Sequence, residues 1–213
     1  MITLHHLSDS RSQRILWLLE ELGVPYEVVR YERDAQTRFA PIELAAIHPL
    51  GKSPVIVDNG TVIAESGAIV DYLAQLYGKG VLTPPQNSAA YWEHQQWMHF
   101  AEGSAMLPFL LGLYCGKLGE AVAPLQPRIA GEMDKMLGYL NQALEGKDWI
   151  MGDRLSAADF MLSFIGEIAA SSTGLGSYPH IAAYLKRIHA RPAFKRALKA
   201  GGPYIFAASS TDA

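Results

Sequence analysis

The chain has 213 residues, 49% of them hydrophobic and 18% charged, with a net charge of −3. That is the balance of a soluble globule, long enough for one large domain or two small ones with a well-buried core. The charge excludes bulk attraction to nucleic acid or an anionic membrane, and no apolar run approaches the ~20 residues expected of a membrane span. The single cysteine, Cys115, excludes an internal disulfide framework and fits a reducing compartment, so a cytoplasmic protein is expected. The opening MITLHHLSDSR lacks a signal-peptide core.

The first 78 residues alternate strand and helix. ITLHHL reads as a strand, followed by the turn SDSRS. In RILWLLEELG the residues Ile15, Leu18, Leu19 and Leu22 fall on one helix face, and Gly23 and Pro25 stop it. YEVVRYE is a second strand, and the strand–helix–strand unit implies a parallel pair with a right-handed crossover. PIELAAIHP reads as a short helix closed by Pro49. PVIVD-NG-TVIAE is a hairpin, because Asn59-Gly60 between β-branched runs is the strongest short-range turn signal. SGAIVDYLAQLYG is a helix ending at Gly78. The order predicts an α/β half, a mixed four-stranded sheet with helices on its faces, the thioredoxin-like βαβαββα arrangement.

Residues 79–88 read as a linker, rich in glycine and proline signals. From 89 to 206 strand signals vanish, and the patterns AAYWEHQQWMHFAEGSAMLPFLLGLYCG, PLQPRIAGEMDKMLGYLNQALEG, SAADFMLSFIGEIAASS and HIAAYLKRIHARPAFKRALKA predict an all-α bundle. Residues 207–213 are small and polar and are expected to fray. Within DRLSAADF, Ser156 precedes Asp159 by three, an acidic capping box, with Leu155 and Phe160 spaced as a hydrophobic staple. Its reading is structural, not catalytic. His5 and His6 are consecutive on a strand and point to opposite faces, and the other histidines show no ligand spacing, so no metal is expected. Cys115 sits among apolar helix positions and reads as a buried, inert thiol.

HPLGKSPV, ESGAIVDYL and GDRLSAADF, in this order and spacing, resemble the cytosolic glutathione transferases, and the likeness covers nearly the whole chain. HHLSDSRSQRILWLLEELGVPYE further resembles the bacterial and fungal branch with a serine-rich first turn. The resemblance implies a transferase with glutathione as co-substrate, a small apolar electrophile as second substrate, a homodimer and a role in detoxification. It also implies a cis Ser53–Pro54 bond that presents the Ser53 backbone to the cysteinyl unit, with Lys52 beside it. Ser66 stands where the third helix begins, and helix N-termini attract carboxylates; Glu65 offers a charge to an amine beside it. That pair matches the γ-glutamyl end of glutathione.

Catalysis requires a thiolate at neutral pH, whereas a free thiol near pKa ~8.5 is mostly protonated. The turn S-D-S-R-S offers donors to sulfur: Ser10 first, then Arg11 and Ser12. Tyrosine and cysteine are absent from it, which argues against tyrosine-type and mixed-disulfide chemistry. Arg33 and Arg38 are both candidates for the glycine carboxylate, and His99, Glu102 and Ser104 for contacts to the ligand or a neighbouring subunit. Trp97, Phe100, Met106, Phe109 and Tyr114 read as core, with some lining an apolar pocket. A glutathione-dependent peroxidase, isomerase or dehalogenase, or a non-catalytic binding module, are the alternatives on the same fold.

Overall fold

The computed structural model describes residues 1–208. Four strands, β1 (Ile2–Leu7), β2 (Tyr26–Tyr31), β3 (Val55–Asp58) and β4 (Thr61–Ala64), form one mixed sheet in the order β2-β1-β3-β4. β1 pairs parallel with β2, Leu4 opposite Val28, and antiparallel with β3, Leu4 opposite Ile56. Central β1 is almost wholly buried, whereas edge strand β2 alternates half-buried and exposed. The β3–β4 hairpin turns on Asn59 (φ 48°) and Gly60 (φ 82°), both left-handed as a two-residue loop of this hand requires.

Helix α1 (Ser12–Leu22) is buried on every side from Ser12 to Leu19, because the sheet covers one face and the helical half the other. Trp17 makes the junction, its ring 4.3 Å from Phe160 and 5.9 Å from Phe194. Gly23 ends α1 at φ 64° and donates to Leu19 O. The expected helix over 41–49 shrinks to α2 (Leu44–Ile47), four residues of which only Leu44 is buried. So little apolar burial cannot hold a longer helix between two prolines. Helix α3 (Ser66–Tyr77) follows the hairpin as expected.

The segment read as a linker is fastened at Leu82, whose carbonyl accepts the Ala157 N–H at 2.8 Å. Beyond it come α4 (Ala89–Phe100), α5 (Met106–Cys115), α6 (Gln126–Ala143), α7 (Ala157–Ser172), α8 (Pro179–Ala190), α9 (Pro192–Gly201) and α10 (Ile205–Ala208). Three departures from the sequence reading have local causes. Between α4 and α5 the ladder widens to a π-helical turn, Ala101–Ala105. Pro108 lacks the N–H that would meet Ser104 O and its ring crowds that carbonyl, so the preceding turn opens. The pattern over 180–200 splits at Arg191, which is extended (ψ 134°) ahead of Pro192. A 3₁₀ stretch, Gly116–Val122, bends at Gly119.

The helical run Ala89–Val122 is long enough and, at mean hydropathy 1.2, apolar enough to cross a membrane by length and composition, contrary to expectation. Its α4 portion packs on α7 and its Glu102 pairs with Arg11 and Arg14, whereas Leu107, Leu111, Leu113, Tyr114 and Leu118 farther along are exposed. Cys115, expected to be buried, is partly exposed in the last turn of α5. The tail expected to fray overlaps α10 at Ala207 and Ala208, and residues 209–213 lie outside the described part.

Candidate functional site

β1 ends at Leu7, and the loop that follows is short and heavily bonded. Asp9 is left-handed at φ 49°, a shape uncommon outside glycine that aspartate tolerates better than most residues. The Ser10 hydroxyl, 5% exposed, donates to Leu7 O at 2.8 Å and lies 2.8 Å from the Ser12 hydroxyl. Ser12 is fully buried, and its hydroxyl also meets His6 Nδ1 at 2.7 Å. Burial, with Arg30 nearby, pushes the His6 imidazole down to about 4, so it is neutral at pH 7. The two serines therefore stand one behind the other, with Ser10 nearer the surface.

Arg11, the residue before α1, turns its Nε to Glu102 Oε2 at 2.8 Å. Arg14, one turn on and wholly buried, sends Nη1 to Glu102 Oε1 at 2.7 Å and to Ser66 Oγ at 3.3 Å. Both guanidinium groups lie against the Phe164 ring, 5.5 and 5.2 Å from its centre. Among the described residues, the Nε and Nη2 of Arg14 are buried without a hydrogen-bond partner. Burial alone would raise the Glu102 carboxyl, but Arg14 and Arg11 outweigh it and hold the group below its ordinary value. The widened turn at 101–105 is what carries Glu102 to two arginines at once.

Ser53–Pro54 is cis, as the resemblance implied. The Ser53 hydroxyl donates to His5 O at 2.8 Å and accepts the Leu7 N–H at 3.2 Å, which fastens this loop beside the first turn. Lys52 and Glu65 are exposed, and Ser66 is buried as the first residue of α3. Glu65 holds φ 68°, ψ 117° with no capping bond from its side chain. The first turn, the Ser53 loop and the N-terminus of α3 are thus tied together through Leu7 and Arg14.

The remaining candidates divide between the first turn and the helical half. Arg33 gives its guanidinium to main-chain carbonyls, and Arg38 pairs with Asp9 Oδ2 at 2.7 Å. His99 and Ser104 are exposed on the long helical run. Trp97, Met106 and Phe109 are core, Phe100 is half-buried, and Tyr114 is 62% exposed. Arg14 escaped the sequence reading, although an arginine inside the buried stripe of an apolar helix is the signal that marks it.

Residues 1–75 match the family described as glutathione S-transferase, N-terminal domain, and residues 121–201 match glutathione S-transferase, C-terminal domain. Glutathione S-transferase 3 of Schizosaccharomyces pombe is 34% identical over 210 residues, a match covering 91% of this chain and 85% of that one. A crystal structure of a glutathione S-transferase from Actinobacillus pleuropneumoniae aligns with a TM-score of 0.90 at 36% identity, covering 98% and 96% of the two chains. A family member from Pseudomonas fluorescens, solved with two glutathione bound, aligns at 0.76 with 32% identity over 92% of each chain.

Proposed function

The chain belongs to the glutathione S-transferase family, and from that premise we propose how its own residues carry the reaction. It is a transferase that uses glutathione as co-substrate. The γ-glutamyl carboxylate binds at the N-terminus of α3, where unpaired N–H groups and the helix dipole favour an anion. The observation that carries this reading is Arg14, a buried cation with two unpartnered nitrogens, bonded to Ser66 at the first residue of that helix. Glu65 receives the α-amine, the Ser53 backbone before Pro54 receives the cysteinyl unit, and Lys52 flanks it.

The thiol then lies over the first turn. Lowering its pKa by about two units requires roughly 2.7 kcal/mol, within reach of one or two donors and a helix N-terminus. Ser10 supplies one by rotating its hydroxyl from Leu7 O to the sulfur. Arg11 adds positive charge at the mouth of α1, and Ser12 supports Ser10 from behind. The thiolate attacks an apolar electrophile approaching from the helical half, where exposed Leu111 and Tyr114 offer an apolar wall. A homodimer is supported by the exposed Leu76, Val81 and Trp92, and a cytoplasmic, detoxifying role by the lone cysteine and the apolar second substrate.

Calorimetric titration of glutathione into the protein and into Ser66→Ala tests the binding half. Loss of a charge-assisted bond predicts a weakening of roughly 1.5–3 kcal/mol. Unaltered affinity would remove α3 from the site.

A further inference from the structure

Arg33 follows β2 and commits three of its five guanidinium N–H groups to main-chain carbonyls. Its Nε donates to Ser8 O at 2.9 Å, Nη2 to Asp9 O at 3.3 Å and Nη1 to Arg38 O at 3.0 Å. Its own N–H donates to the Ser8 hydroxyl at 3.2 Å, while the Ser8 N–H is held by Tyr31 O at 2.9 Å. The planar fork thus grips two successive carbonyls of the turn that carries Ser10.

In a trans peptide the carbonyl and the following N–H point in opposite directions. Fixing Ser8 O and Asp9 O on the guanidinium therefore turns the N–H groups of Asp9 and Ser10 away from Arg33. It also keeps both carbonyl oxygens, which would repel an anion, off the other side of the turn. The left-handed Asp9 (φ 49°) costs free energy that surrounding bonds must offset. Arg33 supplies two of them, and the Asp9 carboxylate adds bonds from Arg38 and from the Ile205 N–H at 3.0 Å.

We infer that Arg33 is a positioning residue for the thiolate, acting through the peptide planes of Ser8–Ser10 and not as a contact to the glycine carboxylate. The inference rests on the reading that the glutathione sulfur lies over this turn. It is tested by titrating the thiol of bound glutathione, followed by thiolate absorbance, in the wild-type protein, Arg33→Ala, Arg33→Lys and Ser10→Ala, with steady-state kinetics on each. Arg33→Ala is expected to raise the thiol pKa by about one unit and lower kcat about tenfold, with the KM for glutathione changed less than about twofold. Arg33→Lys is expected to behave alike, because one ammonium cannot span carbonyls that a planar fork bridges, and added guanidinium ion is expected to restore part of the Arg33→Ala rate. A raised KM at unaltered thiol pKa would overturn the inference by making Arg33 a ligand contact. A wild-type thiol pKa in Arg33→Lys would overturn the fork argument. If Ser10→Ala shifts the pKa and Arg33→Ala does not, Arg33 alone is wrong; if neither shifts it, the first-turn reading falls and takes the inference with it.

Discussion

Two buried or half-buried acids of the helical half, Asp159 and Glu102, are satisfied in opposite ways. Asp159, with no exposed surface, accepts bonds from the Ile150 N–H (2.9 Å), the Ser156 N–H (2.7 Å), the Ser156 hydroxyl (2.8 Å) and the Tyr184 hydroxyl (2.9 Å). All four donors are neutral and three of them lie within nine residues. Glu102 is 31% exposed and is held by two cations, Arg11 and Arg14, from the other half of the chain. The first acid completes a helix start. The second joins the two halves of the chain. Neutral local donors close a helix start; distant charged partners tie two halves together.

The difference makes the largest prediction. Asp159→Ala removes four hydrogen bonds from the interior, and only the Tyr184 hydroxyl keeps another acceptor, Asp159 O, so a stability loss of about 3–5 kcal/mol is expected by denaturant titration. Glutathione affinity should not change under conditions where the variant is folded. Glu102→Gln should cost less, about 1–3 kcal/mol, because the site is partly solvated although Arg14 loses its counter-charge. This variant, unlike the first, should alter glutathione affinity measurably. Equal effects of the two on binding would erase the contrast.

A smaller effect separates the acids by pH. The arginines hold Glu102 below its ordinary 4.5, so its contribution is present above that value and is lost as pH falls through the lowered one. Burial pushes Asp159 above its ordinary 3.8, against the pull of its four donors. Its titration adds stability below 3.8 that is lost as pH rises through the raised value. Melting temperatures followed into the acid range should therefore show wild type converging on Glu102→Gln and drawing further ahead of Asp159→Asn. Parallel curves would contradict both assignments.

The same contrast explains how much was legible in the residues. Elements whose cause is local were readable: the Asn59-Gly60 hairpin, the periodic α1, the Ser156–Asp159 helix start and the Glu65-Ser66 entry to α3. The break at Arg191 was local too, but Pro192 lies inside a pattern that is apolar at helical spacing on both sides, and periodicity outweighed it. The short α2 was overread because flanking prolines suggest a helix without measuring what it buries. Among the candidate site residues, Ser10 and Ser66 were read from their positions at element ends and Ser53 from the resemblance. Arg14 and Glu102 stand 88 residues apart, and nothing in one stretch announces the other. Arg33 was read as a candidate for the glycine carboxylate, and sequence does not reveal that main-chain carbonyls take three of its guanidinium N–H groups.

The central claim is that the first turn holds the glutathione sulfur as an anion. Its most direct test is the thiolate absorbance of bound glutathione against pH, in the wild-type protein and in Ser10→Ala at saturating ligand. A bound thiol about two units below the free value of ~8.5, moved back up by roughly one unit in Ser10→Ala, is the expected result. A bound thiol that titrates like free glutathione in the wild-type protein would contradict it.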